Sequence, residues 1–123
     1  MPSYLRIEER TNLASAQSIG ASFSSDKLAV GSFEGIAIDA RWSGGGTPIG
    51  TLKVQVSNDP ESTADASIVW TDYTGSSLSV SGNSGSIMYD IAPHNFNLIR
   101  VVYTRTSGSA SMDIIVNRRS RRS

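Results

Sequence analysis

Gly35-Ile36-Ala37-Ile38-Asp39-Ala40-Arg41-Trp42 alternates with a period of two: Ile36, Ile38, Ala40 and Trp42 fall on one face, and Ala37, Asp39 and Arg41 on the other. Successive side chains of an extended strand point to opposite sides, so such a run buries one face and wets the other. The next run repeats the device, with Leu52, Val54 and Val56 set against Thr51, Lys53, Gln55 and Ser57. Trp42 continues the apolar face of its run and is expected in the core.

Working outward, nine short runs read as strands: residues 4–9, 27–30, 35–42, 51–57, 68–73, 78–80, 86–91, 98–106 and 111–117. Gly, Ser and Asn punctuate them at roughly ten-residue spacing, and no stretch keeps a helical period for three turns. The expected fold is all-β: an antiparallel β-sandwich, jelly-roll-like, of about eight to nine short strands. Leu98-Ile99-Arg100-Val101-Val102-Tyr103-Thr104 is apolar on both faces and is expected in the middle of a sheet. Ser43-Gly44-Gly45-Gly46-Thr47-Pro48 and Thr106-Ser107-Gly108-Ser109 both read as hairpin connections, rich in residues that tolerate positive φ. Residues 11–25 are polar and weakly patterned, an extended arm with Ile19 and Phe23 as anchors.

A chain of 123 residues makes one domain, able to bury about two-thirds of the surface its unfolded form exposes. With no cysteine, neither a disulfide framework nor a thiolate metal site can form. The first ten residues carry acids early and lack a continuous apolar segment, so a cytoplasmic site of synthesis is expected, with no membrane partner. The net charge is zero, yet Arg118, Arg119, Arg121 and Arg122 crowd the end of the chain and leave seven basic against eleven acidic residues elsewhere. The division expected is a sandwich domain over 1–117, with its polar N-terminal arm, and a basic tail over 118–123. Closely spaced guanidinium groups attract acidic surfaces or nucleic acid, so these four arginines are the candidate partner-binding residues. A plain solvated end is the other reading of the same run.

Residues that could carry catalysis are sparse. His94, the one histidine, follows Pro93 in a turn, and no nucleophile elbow accompanies it. Asn58, Asp59, Glu61 and Asp65 share a loop that could offer hard oxygen ligands, though their spacing is not that of a calcium-binding loop and reads equally as a surface turn. Asp39, Asp72 and Asp90 lie on or beside strands without a spacing that pairs them. Gly44-Gly45-Gly46 lacks the lysine and hydroxyl of a phosphate-binding loop. Trp70 and Tyr73 fall on opposite faces of a regular strand and cannot stack together on one sugar. The chain is therefore expected not to be an enzyme and to need no cofactor.

Two resemblances complete the reading. Leu52 to Asp59 followed by Trp70-Thr71-Asp72-Tyr73, with Phe96 to Tyr103, resembles the strand signature of discoidin-like sandwiches. That likeness implies a carbohydrate-binding module used for surface attachment, with its site in the loops 58–67 and 93–97. Leu13 to Phe23, Ala40-Arg41-Trp42-Ser43-Gly44, Leu52 to Asp59 and Val101 to Gly108 together resemble small β-sandwich virion proteins of tailed bacteriophages. This second likeness implies a virion location and a structural role, as a capsid decoration or a head or tail accessory. Its expected partners are a capsid or tail protein of the same virion and further copies of itself, a trimer being favoured.

Overall fold

The computed structural model describes residues 5–92 and 94–122, the side chains of 5–7 and of 121 and 122 excepted. Eight antiparallel strands form one hydrogen-bonded sheet: β1 (Leu5–Ser18), β2 (Phe23–Ser24), β3 (Leu28–Ala29), β4 (Gly35–Ser57), β5 (Thr71–Asp72), β6 (Leu78–Ser81), β7 (Ser84–Ile91) and β8 (Leu98–Arg122). A single 3-10 turn at Asp65–Ser67 interrupts the β structure, and the described residues hold no α-helix. The all-β expectation holds, but two of its connections do not.

Residues 43–48 and 106–109 are not hairpins. They are bends inside β4 and β8, which pair with each other from Gly35↔Arg119 to Ser57↔Leu98. The ladder is irregular only around Ser43, Gly46, Ile49 and Gly50. Extra residues on one strand at such bulges bend it sharply without ending it. Glycines permit the bend: Gly44 and Gly108 have φ of +145° and +74°, where a side chain is strained.

The other strands follow this long ribbon on either side. β1, β2 and β3 run in succession along β8, and β7, β6 and β5 along β4. The result is a sheet four strands wide, creased across its middle. One layer reads β1, the second half of β8, the first half of β4, then β7. The other reads β2 and β3, the first half of β8, the second half of β4, then β6 and β5. That order is the jelly roll, a rolled antiparallel ribbon closed over one core.

The alternation read from the sequence fills that core. Ile36, Ile38, Ala40 and Trp42 from one layer meet Leu52, Val54, Val101 and Tyr103 from the other, and all are buried. Residues 11–25 belong to the sheet instead of forming an arm, supplying most of β1 and all of β2, while both expected anchors are in place: Ile19 is fully buried, and Phe23 packs on Tyr103 with ring centroids 6.0 Å apart.

Two buried tyrosines make a test of polar satisfaction. Tyr89, on β7, donates its hydroxyl toward the carbonyls of Leu52 (3.0 Å) and Ser76 (2.8 Å), joining the two layers. The Tyr103 hydroxyl, buried over Gly50, has no hydrogen-bond partner among the described residues. Tyr89→Phe should cost about 1–2 kcal/mol in chemical denaturation at neutral pH, whereas Tyr103→Phe should be neutral or stabilise by up to about 1 kcal/mol. Burial pushes the Tyr89 hydroxyl up to about 12. A raised phenol leaves its contribution intact below about pH 10, its unfolded value, and removes it as pH climbs through the folded one. Alkaline unfolding over that window should therefore be shallower in Tyr89→Phe than in the parent.

Candidate functional site

The end of the roll opposite the crease gathers the turns following β3, β4 and β7. Asn97 ties two of them together, its Nδ2 donating to the Asn58 carbonyl at 2.9 Å and its backbone N–H to that of Ser57 at 2.9 Å. Lys27 holds the long loop down: Nζ donates to the carbonyls of Glu61 and Thr63, both at 2.9 Å, and pairs with Asp65 at 3.2 Å. Beside them lies an open groove of about 580 Å³ lined by Glu9, Ala29, Gly31, Ser32, Phe33, Glu61, Asn97 and Arg118.

Arg118 organises this groove. One guanidinium nitrogen donates to the Ala29 carbonyl at 2.8 Å, and the other to Glu9 Oε2 at 2.7 Å and Thr11 Oγ1 at 3.3 Å. Its carbon lies 4.9 Å from the centre of the Phe33 ring. A planar cation with several donors and a stacking face suits such a multi-way junction better than lysine does. Arg119 lies within 3.5 Å of Glu8 and is half exposed. Where the sequence suggested a solvated tail, residues 118–122 continue β8 against β1, in register from Glu9↔Arg118 to Leu5↔Arg122. The side chains of Arg121 and Arg122 lie outside the described residues. Of the four candidate arginines, Arg118 is committed within the chain; its role was missed because Glu9 is 109 residues away in sequence.

A second polar constellation covers the outer face of the other layer. Arg100 Nε donates to Gln55 Oε1 (2.7 Å), Gln55 Nε2 donates to Asp72 Oδ1 (2.9 Å), and Lys53 Nζ donates to Asp72 Oδ2 (3.1 Å). The Trp70 ring lies against the Arg100 guanidinium, 4.6 Å from its centroid. The hydrogen bond from Gln55, then that from Lys53, holds the Asp72 carboxyl below its ordinary range. Strand alternation placed Lys53 and Gln55 on this face in the sequence; the partners across the sheet are long-range and were not readable.

The remaining candidates scatter. His94 stacks on Phe96 at 4.4 Å, and burial lowers its pKa. Asp59 accepts from the Val69 N–H at 2.7 Å and Asp65 faces Lys27, so the acids of that loop turn to different partners. Among the described residues no group of three or more His, Cys, Asp or Glu could hold a metal ion. Asp39 pairs with Arg41 on one layer while Asp72 lies on the other, so these carboxylates do not converge across a groove. Tyr73 packs edge-on against Phe96, 6.1 Å away, and not beside Trp70.

No protein-family model and no curated protein matches the chain. Among solved structures it is similar to the SPBc2 prophage-derived protein YomS, at 17% identity and a TM-score of 0.54, over 92% of this chain and 95% of that one. Weaker likenesses are to a structure of Bacillus endospore appendages, disulfide-linked pili (13% identity, TM-score 0.34, 94% of this chain and 85% of that one), and to FLHE (16%, 0.35, 96% and 97%). The likeness to YomS shows the fold, shared along nearly the whole of both chains. Among the described residues no helix is long and apolar enough to cross a membrane.

Proposed function

We propose that this chain is a structural protein of a bacteriophage particle, a capsid decoration or a head or tail accessory, that acts by docking and self-association. The observation carrying this reading is the full-length fold likeness to a prophage-derived protein, 92% of one chain against 95% of the other. The chemistry of the surface supports it. The most distinctive polar groups, Arg118 with Glu9 and Arg100 with Gln55 and Asp72, hold one another and so stiffen the shell. Such a surface is fitted to adhere, not to turn over a substrate, and the reading includes no enzymatic activity. The partner on this reading is a capsid or tail protein of the same virion.

The test is direct. The purified chain should scatter light as more than one copy and should co-sediment with phage particles that lack it. A monomer at every concentration tested, with no affinity for such particles, overturns the proposal. Glycan binding is the second reading, favoured by the Asn97–Asn58 bridge that sets the two candidate loops side by side. A glycan array, run with and without calcium, that returns specific hits while co-sedimentation fails would put it first.

A further inference from the structure

The creased sheet has two long edges, and only one is protected. β1 carries Glu8, Glu9 and Arg10, and its register slips twice, between Asn12 and Ala14 and between Ala14 and Gln17. At the second slip Ala16 adopts φ 49° and its N–H turns back to Asp113 Oδ1 at 2.6 Å. Charges and bulges of this kind are how sheets keep an edge from pairing with another chain.

β7 has no bulge and a single charge. Its eight residues, Ser84–Ile91, pair with β4 in unbroken register. Among the described residues its backbone makes no hydrogen bond to any strand on its other side. Asp90 is its one charged residue, and it contains no proline and no residue of positive φ. In its middle, on the outer face, Met88 is 61% exposed.

We infer that β7 is a self-association edge, pairing antiparallel with β7 of a second copy about a two-fold axis through Met88. This deepens the self-association proposed above and rests on it. Residues directly opposite in an antiparallel pair must share a face, so only registers that keep the alternation are allowed. Centring the pair on Met88 sets Met88 against Met88 and, on either side, Ser86 against Asp90 of the second copy. A hydroxyl then faces a carboxylate twice, and no like charges meet. On the inner face, half-buried Ile87 falls opposite Tyr89, and Gly85 opposite Ile91, which lengthens the apolar layer. Shifting the axis to Tyr89 sets Met88 against Asp90 twice; shifting it to Ile87 leaves Ser84 against Asp90 and Met88 against Ser86. The Met88 register alone places the exposed methyl groups together. An isologous contact of this sort closes at two copies, so the assembly holds an even number, in place of the trimer expected from the sequence.

The axis provides the experiment. The chain has no native cysteine, so Met88→Cys introduces a lone thiol at a position facing itself. Opposed residues in antiparallel strands have Cα atoms about 4.5–5.5 Å apart, inside the range a disulfide spans. Mild oxidation of Met88→Cys should give a covalent dimer, and Ser84→Cys, off the axis, should give little. Met88→Asp and Met88→Lys should each raise the dissociation constant by about a hundredfold or more through juxtaposed like charges, and mixing the two should restore the pair. Both variants alter an exposed side chain, and a circular dichroism spectrum matching the parent confirms the fold. If the parent self-associates but Met88→Asp does not weaken it and Met88→Cys does not cross-link, the β7 interface is wrong while the structural role stands. If the parent is monomeric throughout, the interface and the self-association fail together.

Discussion

Gly108→Ala is expected to destabilise the protein by about 3–4 kcal/mol, enough to lower the melting temperature by roughly 12–15 °C. Gly108 stands at the crease with φ +74°, and a Cβ there would be driven into the carbonyl oxygens of Thr47 and Gly46. The cost has two parts, which a second glycine separates. Gly75 has a similar φ of +82°, but a Cβ there meets nothing within 4 Å. Gly75→Ala should therefore show the conformational part alone, about 1–2 kcal/mol. The difference between the two sites reports how closely β4 and β8 approach where both must turn together. Backbone atoms cannot yield as the end of a flexible side chain can. Equal losses at the two positions in thermal and chemical denaturation would show that the crease tolerates a wider spacing, and that closure of the roll does not depend on this approach.

The crease also shows where sequence reading stops. Ile36, Ile38, Ala40 and Trp42, and Leu52 and Val54, were legible as core because strand alternation is local and period two has one structural meaning. The Gly-rich stretch between them reads as a hairpin, but it is a bend within β4. Glycines and a proline favour a change of direction, but whether the strand reverses or only bends depends on what lies beside it. Here β8 lies beside it along its whole length, bending at the same place. The polar stretch 11–25 reads as an arm for the same reason: an edge strand, as residues 11–18 are, can be polar and still be held by its ladder to residues about a hundred positions away. The candidate site was less legible still. Arginine clustering at 118–122 was visible, but Arg118's ties to Ala29, Glu9 and Phe33 come from topology. The Arg100–Gln55–Asp72 ladder likewise joins three strands that only the register brings abreast.

Trp42→Ala should cost about 3–5 kcal/mol, the range for deleting a buried aromatic ring from a close-packed core. Trp42 is 7% exposed, and its Nε1 donates to the Gly82 carbonyl at 3.1 Å. Its ring lies against Gly85, where β7 offers no side chain: a Cβ at 85 would collide with Cζ2 and lie only 2.9 Å from Cε2 and Cη2. The indole thus occupies the space a residue at 85 would otherwise fill. Gly85→Ala in the parent should be destabilising, because it forces the ring outward. Placed in Trp42→Ala, the same change should become neutral or stabilising, since the methyl group enters a cavity already vacated. Contacting residues that share a cavity couple by about 0.5–3 kcal/mol, so a double-mutant cycle followed by chemical denaturation is sensitive enough to see it. A loss below about 1 kcal/mol for Trp42→Ala, or strictly additive effects in the cycle, would mean that the ring does not pack against β7. The inward face of β4 would then need to be reassigned along the whole of its first half.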